Sequence, residues 1–151
     1  MPKTNGIAER AVRTVLEGTR SLLFHSGFDK RWWSRAMRHF CLMYNATWDY
    51  RGRGTPWMLR HGCDFPTGLH PFGCKVFYTP GTTKANAGEE KFSPSSVPGI
   101  LVGYHFNPGG QWSKDFLVIN LEAALNNGLA KGTPFCALGR SSTKKGSQSS
   151  R

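Results

Sequence analysis

Acidic side chains are scarce. The 151 residues carry 9 Asp and Glu against 20 Lys and Arg, a formal net charge of +11. Long apolar runs are missing too. The longest clean one is Phe116-Leu117-Val118-Ile119, far short of the roughly 18–20 residues that a membrane span needs. Met1 is followed at once by Pro2-Lys3-Thr4-Asn5-Gly6, which offers no apolar region of a secretory signal. These absences predict a chain that is nuclear or cytoplasmic, not secreted and without a membrane partner. Cys41, Cys63, Cys74 and Cys136 include no Cys-x-x-Cys pair, so neither a zinc knuckle nor a dithiol redox motif is read here. Without an export signal, reduced and partly buried thiols are expected. His61, Cys63, His70 and Cys74 are neighbours in sequence, but their gaps match no standard zinc pattern.

What is present can build a core. Hydrophobic residues make up 38% and aromatics 13% of the chain, more than a disordered segment holds. With 18 Gly and 9 Pro, many turns are expected. The charge is uneven. Residues 1–66 hold 11 basic and 5 acidic side chains, residues 67–125 hold 4 of each, and residues 126–151 hold 5 basic and none acidic. A basic, Arg-rich surface suggests a polyanion as partner, nucleic acid being the commonest. Composition alone weighs this evenly against charge that only keeps a small protein soluble.

Ala8, Ala11, Val12, Val15, Leu16, Thr19, Leu22 and Leu23 recur three and four apart, which predicts a helix over 5–24. Thr4 or Asn5 can cap its start and Gly27 marks its stop. Glu9 falls about a quarter turn off the apolar stripe, with Arg13 and Arg20 along the same edge. Glu9 is therefore expected at the border of buried and exposed surface, near the positive helix end. A second helix is predicted from Asp29 to Ala46, its face built from Trp32, Trp33, Ala36, Met37, Phe40, Cys41, Met43 and Tyr44. Thr55 to Gly62 reads as one short helix, with Thr at the cap, Pro in the first turn and Gly beyond the end. Short strands follow at 74–78, 99–104 and 116–119, with a turn at Asn107-Pro108-Gly109-Gly110. Such strands suggest a small curved sheet or barrel. Residues 80–91 read as a loop and Gly139 to Arg151 as a disordered basic tail.

Two stretches carry a resemblance. Pro2-Lys3-Thr4-Asn5-Gly6-Ile7-Ala8-Glu9-Arg10 resembles the last catalytic motif of the integrase core of copia-type retrotransposons. Arg13-Thr14, Phe28 to Trp33, Asn45 and Thr55-Pro56 follow in the family's order. Pro66, Leu69-His70 and Phe72-Gly73-Cys74 look like the family's junction. Lys91 to Pro94 and Gly99 to Tyr104 resemble the SH3-like domain that follows the core in the Pol polyprotein. The likeness spans roughly residues 2–122. It departs from the family at Val12, where Asn is usual, near Met58, where Glu is usual, and around Pro71, where the junction Arg is replaced or missing.

The resemblance implies an α+β chain: the C-terminal helices of a truncated RNase H-like core over 1–66, an SH3-like β-domain over 67–125 and a basic low-complexity tail over 126–151. In the intact family, three carboxylates hold two Mg²⁺ ions that drive phosphoryl transfer. By resemblance Glu9 is the third of these, and Asn5, Arg10, Arg13 and Arg20 are the DNA-contacting residues. The two Asp-bearing strands would lie upstream of Pro2. Glu9 is thus a vestigial catalytic and metal-binding residue, able to hold metal only together with those Asp residues. Tight Mg²⁺ binding and strand transfer are not expected of this chain alone. Val12, Val15, Leu16, Trp32, Trp33 and Phe40 are expected to lack partners, because the sheet that would cover them is not encoded here. Weak, sequence-independent DNA contact is the favoured reading. A stand-alone nucleic-acid- or protein-binding module and a translated relic without function remain open beside it.

Overall fold

Helix α1 runs from Gly6 to Ser26 and stops at Gly27, whose N–H donates to the Phe24 carbonyl at 3.3 Å. The computed structural model describes residues 5–49, 51–79, 96–126 and 138–139. Asn5 occupies the N-cap position but makes no capping bond with its side chain, and Thr4 lies outside the described residues. The second half of α1 packs on α2 (Trp33–Thr47). Gly18 is what lets the two helices approach, since a methyl group there would overlap the Phe40 ring. Asp29 begins the second helical segment as expected: its Oδ1 accepts the Arg31 N–H at 2.9 Å, and a 3-10 turn over Lys30–Trp32 leads into α2. Helix α3 spans Pro56–His61. Thr55 Oγ1 accepts the Met58 N–H at 3.2 Å, and the Gly62 N–H closes the other end on the Met58 carbonyl at 2.8 Å.

The strands are β1 (Lys75–Tyr78), β2 (Val97–Phe106), β3 (Trp112–Asn120) and β4 (Leu138–Gly139). They form one antiparallel sheet in chain order, so β2 is flanked by β1 and β3, with two-residue β4 beyond β3. Ile100 faces Ile119 and Leu101 faces Val118. The register then slips between Leu101 and Gly103, and Gly103 takes φ 152°, a conformation that costs glycine little. The turn at Asn107 closes with bonds Asn107 N–H to Gln111 O and Gly110 N–H to Asn107 O. After β3, Asn120 Oδ1 accepts the Ala123 N–H at 3.1 Å and starts helix α4, Leu121–Asn126. The architecture is mixed α+β, and the sheet is open among the described residues.

One buried cluster joins helices and sheet. Phe28, Trp32 and Ala36 meet Phe72, Ile100, Val102, Leu117, Ile119 and Ala124, and α2 packs on β2. Phe72 enters this core at the start of the sheet region, where the Gly73 N–H donates to the Leu101 carbonyl at 2.8 Å. Three of the residues expected to lack partners need correction. Trp32 is buried and sits edge-to-face on Phe28, centroids 5.3 Å apart. Phe40 is half-buried over Gly18. The β-sheet covers Trp32 and helix α1 covers Phe40, although both aromatics were expected to lack partners. Val15 is half-buried as well, whereas Val12, Leu16 and Trp33 are 58%, 47% and 55% exposed. The expected loop at 80–91 and residues 140–151 of the expected tail lie outside the described residues. Gly139, where that tail was expected to begin, pairs with Phe116 in β4.

Candidate nucleic-acid interface

From Asn5 to Arg13 every side chain of α1 is exposed. Glu9 therefore stands in solvent rather than at a buried border, because no described residue covers the first two turns. Its Oε1 accepts a long 3.4 Å bond from Asn5 Nδ2. Asn5, Glu9, Arg13 and Arg20 line one shallow face, with Ala8, Val12 and Leu16 between them. Their steps of four and seven residues bring them together on a helix of 3.6 residues per turn. Arg10 does not line this face; one residue past Glu9, it projects roughly a quarter turn away. Glu17 does line it, and sequence reading overlooked it. Two carboxylates and two guanidinium groups then nearly cancel on this face.

Stronger positive charge gathers on α2 and beyond. Arg35 and Arg38 border a cleft of about 530 Å³ between α2 and the far end of β2. Burial lowers the Arg35 pKa from its ordinary value, and the Arg38 charge lowers it further. The Arg60 guanidinium stands beside Gly110, which lines the same cleft. Inside lies His39, only 2% exposed, between the rings of Phe72 and Tyr104 at 5.5 and 5.6 Å. Neither ring nitrogen has a hydrogen-bond partner among the described residues. Burial pushes the His39 pKa down to about 4. The nearby His70 backbone pulls weakly the other way but stands outside hydrogen-bond geometry. At neutral pH the ring is therefore uncharged. Tyr104 is better satisfied: its hydroxyl accepts the His70 N–H at 2.8 Å and donates to the Gly68 carbonyl at 3.3 Å. Burial raises the Tyr104 pKa, and the bond from His70 opposes that shift.

Metal chemistry is poorly supplied. Among the described residues no three His, Cys, Asp or Glu side chains converge, and the Glu9 carboxylate accepts from a side-chain amide. These residues do not fit a two-cation centre, since hard cations need several oxygen ligands. Cys41, Cys63 and Cys74 are free thiols, and burial raises the Cys41 and Cys74 pKa values. A raised pKa keeps them protonated and unreactive at neutral pH.

No described helix is long and apolar enough to cross a membrane. Comparison with protein families, with characterised proteins and with solved structures finds no match for this chain.

Proposed function

We propose that this chain is a piece of a copia-type integrase that contacts nucleic acid without sequence preference and does not transfer strands by itself. In this reading residues 1–66 descend from an RNase H-like core, residues 67–125 from an SH3-like domain, and the protein acts in the nucleus or cytoplasm. Mg²⁺ belongs to the intact family, and Glu9 is a vestige of its site. The observation that carries the reading is the bare first half of α1. It presents Asn5, Glu9, Arg13 and Arg20 together on one exposed face, which supports the reading. Among the described residues no ion pair engages Arg10, Arg13 or Arg20, which leaves them open to phosphate. Arg38 and Arg60 extend the basic surface.

The reading is tested with the full chain and two duplex DNAs of unrelated sequence at low salt. Comparable affinity for both is expected, together with clear weakening in an Arg13→Gln/Arg20→Gln variant. Undetectable binding, or a strong preference for one sequence, contradicts it. A strand-transfer assay with Mg²⁺ or Mn²⁺ is expected to be blank. Reproducible turnover that disappears in Glu9→Gln would overturn the claim of inertness.

A further inference from the structure

The cleft beneath Arg35 and Arg38 has a built interior that the proposed function leaves unused. A cavity of about 530 Å³ is in the range that small ligands occupy. Its walls are largely apolar and aromatic, with Trp57, Tyr104, Phe106 and Leu117 among them. Two buried polar groups break that apolar lining. Among the described residues, neither His39 ring nitrogen has a partner and the buried Trp57 indole N–H has no acceptor. Each such group costs free energy when left unmade. A neutral imidazole offers one donor and one acceptor, and the indole adds a second donor. Together they ask for a ligand edge that both accepts and donates, as the adenine edge does with its ring N1 accepting and its exocyclic amine donating. At the rim, Arg35 and Arg38 repel each other, and Arg60 stands close by at Gly110. An anion on the same ligand would meet guanidinium groups suited to a phosphate.

We propose that this cleft holds a single unstacked nucleotide, its base against Trp57 and His39 and its phosphate at Arg35 and Arg38. A strand end or a base turned out of a duplex would supply it. The proposal deepens the nucleic-acid reading and depends on it for its biological source. The two can fail separately, because duplex binding through the backbone needs no base in the cleft.

The test follows the Trp57 indole N–H signal of the intact, folded chain by ¹H–¹⁵N NMR, with three probes: dAMP, ribose 5-phosphate and adenosine. The signal is assigned by its loss in Trp57→Phe. The expected result is a saturable shift with dAMP, at least tenfold weaker binding of ribose 5-phosphate and of adenosine, and at least tenfold weaker dAMP binding in Arg35→Gln/Arg38→Gln. No shift of the indole signal at millimolar dAMP overturns the proposal. So does equal response to ribose 5-phosphate, which would mean an anion site without base recognition. The three-probe comparison on the unmodified chain decides the matter even where a variant folds poorly. Salt-dependent duplex binding without any indole shift would sink the cleft and spare the nucleic-acid reading.

Discussion

Acidification should loosen the junction between helices and sheet, with His39 responsible. The ring is almost wholly buried between Phe72 and Tyr104, and its pKa is pushed down to about 4 from an ordinary 6.5. The unfolded chain therefore binds a proton that the folded chain refuses between those two values. Stability from this source is fully present above pH 6.5, falls as the pH drops towards 4, and levels off below that. A depression of that size corresponds to about 3 kcal/mol at the acid end, most of it lost by pH 4.5. This is a large share of the stability of a small domain. The assay is chemical denaturation followed by tryptophan fluorescence at pH 7 and pH 4.5, for the native chain and for His39→Leu. Comparing the two removes the contribution of the carboxylates, which both proteins share. The native chain should lose about 2 kcal/mol more than the variant. Equal losses in both would show that His39 is not a buried neutral ring and would refute the argument.

Other substitutions probe the packing. Gly18→Val should drive the α1–α2 pair apart, because Phe40 fills the space; a loss of roughly 1–3 kcal/mol is expected by denaturant titration. Trp32→Ala empties the centre of the shared cluster and should cost about 3–5 kcal/mol, read as a lowered melting temperature. Thr55→Ala removes the cap of α3 and should cost about 1 kcal/mol. Val12→Ser, on the bare part of α1, should change stability by less than about 0.5 kcal/mol.

Helix positions were legible wherever apolar spacing met a stop signal. Gly27 and Gly62 ended α1 and α3 as expected, and Asp29 and Thr55 capped as expected. The stripe on α1 was placed well around Thr19, but its Ala8–Val12 end is exposed among the described residues. Periodicity reports which face is apolar and not what lies opposite. The strands β2 and β3 run beyond their apolar centres: Phe106 pairs with Trp112, and Ser113 to Asp115 fall in the irregular stretch before Phe116 pairs with Tyr104. Helix α4 had a readable signal in Asn120 followed by Leu-Glu-Ala-Ala-Leu, and it was overlooked. His39 was legible in principle: it lies within one helical face with Trp32, Ala36 and Met43. Its unpartnered nitrogens and the surrounding cleft were not, because they depend on Phe72, Tyr104 and Trp57 arriving from distant parts of the chain. Trp32 and Phe40 were misread for the same reason, through contacts that only the folded sheet and helix pair create.

The most direct measurement is the salt dependence of duplex DNA binding by the intact chain, with the Arg13→Gln/Arg20→Gln variant alongside. Log K should fall linearly with log salt, and losing two phosphate contacts should make the slope shallower by about 1.8, at roughly 0.9 per phosphate. A flat line for the native chain, or a slope the two substitutions leave unchanged, would contradict the account.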